Sequence, residues 1–407
     1  MQQRSYFTAL SALTFAFFMW GFLTCLNDIL VPALKSIFTL DYTHAMYVQF
    51  CFFFTYAVMS IPMARLVAKI GYKKGIVSGF IIAGIGCLVF IPAAEIRVYG
   101  VFLFGLFVLA SGIVLLQVAA NPYATLLGKP ELASRRLTLL QAFNSLGTTI
   151  APWFGAMFIL TAAVQTQDQV SHLSAPAFAV YQAQTAASIQ HPYLLLAIVM
   201  MVIGALIAFI PLPKMSSQQQ AEEHNTAVLE DRGSVWRYPH LVLGCIAIFV
   251  YVGAEVSISS LLVNYFEQSN IAEFTPNLAA KYVSYYWGGA MVGRFIGSYI
   301  LGKINPPKVL VFNALAAVVL LLITVFSQGH MAMWAVLAIG LFNSVMFPTI
   351  FSIAIRGLGK YTPVASGMLC VAIVGGAIVP VIQGFTADRC GIQMSYLVPV
   401  ICYLFIA

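Results

Sequence analysis

Long uninterrupted apolar stretches are the feature that most limits what this chain can fold into. Each is about 20 residues or longer, enough for a helix to cross about 30 Å of hydrocarbon. Charged residues make up 8% of the chain and hydrophobic residues 61%, whereas soluble domains average about 25% and 45–50%. A membrane β-barrel would alternate apolar and polar residues instead. We therefore predict an all-α membrane protein, with eleven spans near 7–34, 45–67, 76–94, 99–124, 138–164, 192–212, 239–267, 279–301, 308–327, 331–356 and 362–386.

A twelfth apolar run begins near Met394 and has 14 residues, or about 21 Å of helix, which is short of a full crossing. We expect twelve helices, the last one truncated, arranged as two pseudo-symmetric six-helix bundles. The bundles are predicted at 1–212 and 239–407, joined by a polar linker at 213–238. The Gln/Ser/Ala-rich stretch 165–191 is predicted to be a loop outside the membrane.

The distribution of positive charge predicts the orientation. If the N-terminus is cytoplasmic, 16 of the 20 Lys and Arg residues fall on the cytoplasmic side, as membrane proteins prefer. The net charge of +7 then needs no nucleic-acid partner. We expect a multi-pass protein of a bacterial inner membrane whose surroundings are the lipid bilayer, and which works as a monomer.

The two halves repeat several spacings. Gln117 precedes Pro122 by five residues, and Asn343 precedes Pro348 by five. A glycine precedes a proline by five residues in span five (147 and 152) and again in span eleven (375 and 380). Such matches at corresponding positions favour a duplicated transporter with its site between the halves.

Basic residues also recur in the two halves, after spans two and eight. We predict that they stabilise a closed cytoplasmic gate by pairing with facing acids or with helix C-termini. These gating candidates are Arg65, Lys73, Arg294 and Lys303.

Two carboxylates fall inside predicted spans, Asp28 in span one and Glu255 in span seven. A charged group at membrane depth is costly and is a functional candidate for that reason, although a structural hydrogen bond or a position nearer the interface would also explain it. Such a carboxylate can couple transport to an ion by taking up a proton or by ligating sodium, and Asp28 is the possible sodium ligand. Otherwise we expect no metal and no cofactor.

Side-chain amides are the commonest polar groups in the spans. An amide both donates and accepts hydrogen bonds, which suits a ring of hydroxyls. No Lys or Arg is predicted at mid-span to meet an anion, so the pattern favours a neutral polyhydroxylated solute. Trp287 could stack on a sugar ring, although most aromatic residues in such a chain face lipid. The predicted substrate-binding residues are Asn27, Gln117, Asn121, Gln141, Asn144, Glu255, Trp287 and Asn343.

Several of these motifs carry a family resemblance. Cys25-Leu-Asn-Asp28-Ile-Leu-Val-Pro32 and Gln141-Ala-Phe-Asn-Ser-Leu-Gly147 resemble the L-fucose/proton symporter branch of the major facilitator superfamily. Leu116-Gln-Val-Ala-Ala-Asn-Pro122 and Phe342-Asn-Ser-Val-Met-Phe-Pro348 resemble its glucose/galactose subgroup. The resemblance implies two six-helix bundles that rock around a central cavity.

The resemblance also implies roles for individual residues. In the fucose type, the aspartate that matches Asp28 carries proton coupling, and amides that match Gln141 and Asn144 line the cavity. This chain departs from that type with Gln117 in place of a glutamate and with Glu255 in place of an uncharged residue. The departures leave both the sugar and the ion open.

We therefore expect a cation-coupled importer of a neutral hexose, a small-molecule substrate. Glucose or galactose comes first, and N-acetylglucosamine or fucose next. A passive uniporter is an alternative, and a drug or lipid exporter on the same fold is a further one. An enzyme is not expected, because the spans contain no metal cluster, nucleophile elbow or His-based dyad.

Overall fold

The computed structural model describes residues 2–38, 42–96, 98–158, 175–210 and 233–407. Twelve helices occupy these ranges, and three of them are interrupted. The first six are α1 (Gln2–Phe38), α2 (Tyr42–Ile70), α3 (Tyr72–Ile96), α4 (Tyr99–Leu126), α5 (Ala133–Phe158) and α6 (Ala175–Phe209). The next three are α7 (Pro239–Glu267), α8 (Pro276–Ile300) and α9 (Pro306–Phe326). The interrupted helices are α10a (Gly329–Asn343) and α10b (Met346–Ala354), α11a (Thr362–Val371) and α11b (Gly375–Cys390), and α12a (Ile392–Ser395) and α12b (Leu397–Ile406).

The all-α prediction is confirmed, and the described ranges contain no strand. Nine of the helices are long and apolar enough to cross a membrane. Helices α5 and α8 are also long but fall outside the nine, because they carry more polar residues, including the Ser134-Arg135-Arg136 start of α5. Polar groups inside a membrane helix are costly and are candidates for function, so α5 and α8 are candidate site elements.

Helix α6 is much longer than the sequence predicted. It begins at Ala175, so the loop expected over 165–191 is wrong for its second part. The polar composition suggested a loop, but Ala and Gln are good helix formers. The first helical turns of α6 are rich in alanine with interspersed Gln and Thr, and the apolar span lies at Gln190–Phe209.

Helix α10 was predicted to be continuous, but it is interrupted at Ser344 and Val345. Proline has no N–H, so Pro348 cannot donate the helical hydrogen bond to the carbonyl four residues earlier, which is that of Ser344. Helix α11 is interrupted by a 3-10 turn at Ala372–Val374. Interrupted helices expose backbone polar groups inside a bundle, where they can serve a site.

Residue contacts divide the chain into two compact units. The first unit comprises 1–120 and 143–214, and the second comprises 121–142 and 215–407. The end of α4 and the start of α5 therefore belong to the second unit. The sequence-based boundaries at 212 and 239 stay a prediction, and most of the predicted linker lies outside the described residues.

The two units use the same helix contact at equivalent places. In the first unit, a Cβ on Gly147 of α5 would lie 2.2 Å from the carbonyl oxygen of Phe18 on α1. In the second, a Cβ on Gly375 of α11 would lie 2.0 Å from the carbonyl oxygen of Phe249 on α7. Only glycine allows backbones to approach so closely. The repeat predicted from these two glycines thus has a structural counterpart in each half.

Candidate functional site

The clearest polar cluster of the second unit is built on α7. Tyr251 and Glu255 are four residues apart and share a helix face. The Tyr251 hydroxyl donates to Oε1 of Glu255 at 2.8 Å and also lies 3.0 Å from the carbonyl oxygen of Asn343. That carbonyl is at the end of α10a, where the helical ladder stops. The acid in span seven is therefore tied to the break in α10.

Asn343 is the centre of this cluster and is fully buried. Its Nδ2 donates to the hydroxyl of Tyr286 on α8 at 2.8 Å. Its Oδ1 accepts from the hydroxyl of Tyr403 on α12b at 2.7 Å. Both the nitrogen and the oxygen of this side-chain amide are thus hydrogen-bonded to fully buried tyrosines. Direct contact between Asn343 and a substrate stays a prediction, and its established contacts join α8, α10 and α12.

Sequence reasoning missed the three tyrosines of this cluster. Tyr251 could have been found, because it precedes the buried acid by one helical turn. Tyr286 and Tyr403 gave no such signal in a chain with 19 tyrosines. The sequence indicated Trp287 instead, which is 43% exposed and packs edge-on against Tyr286 with ring centroids 5.3 Å apart. Its stacking on a sugar stays a prediction.

Arg294 lies inside α8 rather than in the turn after it, where the sequence placed it. Its Nε donates to the carbonyl oxygen of Ser344 at 3.3 Å, the carbonyl that Pro348 leaves without a helical donor. The expectation that no Lys or Arg lies at mid-span to meet the anion of a substrate stays a prediction. The predicted gating role of Arg294 remains untested.

The first unit holds a smaller polar set. Gln117 is buried, and its Nε2 donates to the hydroxyl of Tyr56 on α2. Its Oε1 has no hydrogen-bond partner among the described residues. Asn144 is half-buried and donates from Nδ2 to the carbonyl oxygen of Phe17 at 2.9 Å. Gln117 thus keeps one uncommitted acceptor inside the protein, which is the kind of group a hydroxylated ligand can use.

Two further predicted amides fall in the second unit. Asn121 is fully buried, and neither Oδ1 nor Nδ2 has a hydrogen-bond partner within the described ranges. Gln141 is also buried. An unpaired buried amide is costly, so Asn121 requires a ligand or water at some stage. The side chains of Asn27 and Asp28 lie outside the described part of the chain, and their roles stay predictions.

The remaining gating candidates show different surroundings. Lys73 donates from Nζ to the carbonyl oxygen of Ala208 at 2.8 Å, near the C-terminal end of α6. This contact is of the helix C-terminus kind that the sequence suggested. Lys303 is exposed and sits 4.3 Å above the ring centroid of Tyr299. Arg65 is exposed.

A cavity of about 490 Å³ lies within the second unit, among the loops that connect its helices. Its lining comes from the 125–134, 301–307 and 352–362 stretches and includes Ser134 and Ser352. The hydroxyls of these two serines are 2.6 Å apart and join α5 to α10b. The cavity and this hydrogen bond mark one end of the polar helices.

No group of three His, Cys, Asp or Glu side chains that could hold a metal occurs in the described ranges. What the helices do contain is a set of tyrosine, amide and carboxyl groups held inside apolar spans. Such polar groups at membrane depth mark the path of a solute. Fold and site together define a multi-spanning membrane transporter.

The sequence profile of the Major Facilitator Superfamily matches residues 9–373, and the chain belongs to this family. A glucose/galactose transporter of Brucella abortus biovar 1 (strain 9-941) is 55% identical over 407 residues, which cover 100% of this chain and 94% of the relative. The L-fucose-proton symporter of Escherichia coli (strain K12) is 35% identical over 99% of this chain and 92% of the relative. The resemblance predicted from the motifs is confirmed.

A solved structure agrees with the fold. The crystal structure of the transporter FucP in the outward conformation superposes with a TM-score of 0.90 at 34% identity, covering 99% of this chain and 97% of that one. The prediction of a major facilitator fold is thus confirmed. Membership of this family also confirms that the chain is a transporter and not an enzyme.

Proposed function

We propose that the protein imports a neutral hexose, with glucose or galactose as the first candidates, by symport with a cation and alternating access. The 55% identity to a relative named glucose/galactose transporter, over the whole chain, supports this choice of sugar. Fucose ranks lower, because the relative named for it is 35% identical and because Gln117 replaces the glutamate of the fucose type. N-acetylglucosamine stays a further candidate.

The proposal rests on polar side-chain atoms that have no hydrogen-bond partner among the described residues. They belong to two buried amides and to one half-buried acid. Within the described residues, the Asn121 side chain has an unpaired acceptor, Oδ1, and an unpaired donor, Nδ2, and Gln117 has an unpaired acceptor, Oε1. Glu255 uses Oε1 for Tyr251 and keeps its second oxygen. A solute rich in hydroxyls pairs with such groups without bringing charge into the membrane. A drug or lipid exporter would instead favour an apolar cavity.

Coupling to a cation is proposed to depend on Asp28, with Glu255 as a second candidate. A relative named as a proton symporter favours the proton. Sodium remains the alternative, because the second acid has moved from span four to span seven in this chain. We further propose a cytoplasmic N-terminus in a bacterial inner membrane, from the distribution of Lys and Arg, and a monomer as the working form.

Uptake of labelled glucose and galactose into proteoliposomes tests the proposal, with a proton gradient and a sodium gradient imposed separately. We expect accumulation driven by one gradient, which names the ion. Equilibration that ignores both gradients would make the protein a passive uniporter. Uptake of labelled fucose and labelled N-acetylglucosamine in the same vesicles ranks the sugars, and an absence of uptake for all four would contradict the proposed function.

A further inference from the structure

We propose that Glu255 is a sugar-recognition residue, a carboxylate clamped by Tyr251 that accepts a hydrogen bond from one sugar hydroxyl, and that it does not carry the coupling cation. The inference rests on the proposed function and deepens it. The sequence suggested both sugar binding and cation coupling for Glu255. We assign sugar binding to Glu255 and leave cation coupling to Asp28.

The first step concerns the orientation of the carboxylate. Tyr251 is buried and precedes Glu255 by one turn of α7, and its hydroxyl holds Oε1 at 2.8 Å. The same hydroxyl lies 3.0 Å from the carbonyl oxygen of Asn343, which fixes the tyrosine from the other side. The hydroxyl has a single proton, and when Glu255 is ionised its carboxylate is the stronger of the two acceptors. Glu255 is therefore held in one rotamer before any ligand arrives.

The second step concerns the free oxygen. Within the described part of the chain, the hydrogen bond from Tyr251 is the only one to this carboxylate, and it occupies Oε1. The Glu255 side chain is half-buried, so Oε2 is both oriented and reachable. A carboxylate oxygen accepts but cannot donate, and a charged acceptor makes a stronger hydrogen bond than an amide. A sugar hydroxyl is a matching donor.

The third step concerns charge. Arg294 is anchored on the Ser344 carbonyl at 3.3 Å, next to the Asn343 carbonyl that Tyr251 contacts, so its positive charge is held at the same interruption of α10 to which the Glu255 carboxyl is tied. Glu255 thus has a compensating charge supplied by its own bundle. A coupling cation at the same carboxylate would have to approach the guanidinium against Coulomb repulsion, which is strong where water is scarce. The site therefore suits a neutral donor better than a second cation.

The test compares wild type with Glu255→Gln in proteoliposomes. The glutamine keeps the shape and can still accept from Tyr251, but it lacks the charge. We expect the KM for the transported sugar to rise about 10- to 100-fold, the usual effect of losing a hydrogen bond to a charged group. The accumulation ratio at saturating sugar should stay as in wild type. Loss of accumulation with an unchanged KM for sugar exchange would overturn the proposal.

A panel of monodeoxy sugars adds a readout that a merely structural role would not move. Wild type should reject the one analogue that lacks the hydroxyl bound by Glu255, and Glu255→Gln should lose that discrimination alone. Tyr251→Phe leaves the carboxylate but removes its clamp, so it should raise KM less and blur the same discrimination. An identical ranking of the panel in all three proteins would also overturn the proposal.

Matched variants separate clamping from general packing. Tyr265 is a buried residue of the same helix whose hydroxyl donates to Thr324 at 2.9 Å, and Tyr265→Phe should leave KM unchanged. Should Glu255→Gln fail to fold, Tyr251→Phe and the deoxy-sugar panel still decide the question. A thermal-shift panel of neutral monosaccharides on wild type distinguishes failure of the proposed function from failure of this inference. If no sugar binds wild type, the proposed function has failed; if sugars bind and the variants behave as wild type, the inference alone has failed.

Discussion

The hydroxyl of Tyr403 donates a 2.7 Å hydrogen bond to Oδ1 of Asn343, which ties the last helix of the chain to the break in α10. Tyr286 occupies the other end of the same amide. All three side chains are fully buried, so the Asn343 amide joins three helices by hydrogen bonds. Asn343 is therefore the side chain that joins α8 and α12b to the end of α10a.

We predict that Asn343→Ala lowers the free energy of unfolding by about 1–3 kcal/mol. The change removes the acceptor of the buried Tyr403 hydroxyl and the donor to the Tyr286 hydroxyl, which keeps its 3.4 Å contact with the Glu255 carbonyl oxygen. Thermal denaturation of the detergent-solubilised protein measures the change. Asn313→Ala is the matched control, since Asn313 donates only to the Val309 carbonyl of its own helix. Equal melting temperatures for the two variants would contradict the role of Asn343 in joining the three helices.

Two glycines of α11 predict opposite effects for the same substitution. A methyl group at Gly375 would lie 2.0 Å from the Phe249 carbonyl oxygen, so Gly375→Ala must push α7 and α11 apart, and overpacking of this kind costs about 1–3 kcal/mol. At Gly384 a methyl group meets nothing within 4 Å. There, alanine gains helix propensity worth up to about 1 kcal/mol. Melting temperatures should fall for the first variant and hold or rise for the second.

The repeat extends this prediction to the other unit. Gly147→Ala should be as harmful as Gly375→Ala, because its methyl group would lie 2.2 Å from the Phe18 carbonyl oxygen. Gly288→Ala serves as a second neutral control, since nothing lies within 4 Å of that position. A tolerated Gly147→Ala would show that the two halves do not share the contact in solution.

Hydropathy allowed the helix count to be predicted from the sequence, because membrane spans must be apolar and long, and the short motifs around Asp28, Gln117 and Gln141 indicated the family. The interruption of α10 left no mark on hydropathy, since the flanking residues are as apolar as the helix. Pro348 did carry a signal, because proline has no N–H to donate to the Ser344 carbonyl. Arg294 donates to that carbonyl instead. The side chains that meet there come from four separate helices, and no local pattern brings Tyr286 or Tyr403 to Asn343.

Asp28 provides the test of coupling. We predict that Asp28→Asn abolishes accumulation against a gradient while sugar exchange between the two sides of the membrane continues, because the neutral amide cannot take up and release a cation. Concentrative uptake and counterflow in the same proteoliposomes measure the two activities. Asp388→Asn is the control, since Asp388 is exposed near the end of α11b. Full accumulation by Asp28→Asn would remove Asp28 from the coupling step.

The hydrogen bond between Ser134 and Ser352 offers a test of movement within the second unit. Their hydroxyl oxygens are 2.6 Å apart, so cysteines at both positions are close enough to form a disulfide, provided that their Cβ directions suit one. Both serines border the cavity among the loops. If solute leaves past these loops, α5 and α10b must separate during each cycle.

We therefore predict that Ser134→Cys/Ser352→Cys loses uptake when oxidised and regains it with dithiothreitol. The chain has free cysteines of its own, including the exposed Cys390, so each single-cysteine variant is treated with the same oxidant as a control. Mass spectrometry of the digested protein establishes the extent of cross-linking. Undiminished uptake by fully cross-linked protein would mean that α5 and α10b stay together throughout transport, and the exit path would then have to avoid this cavity.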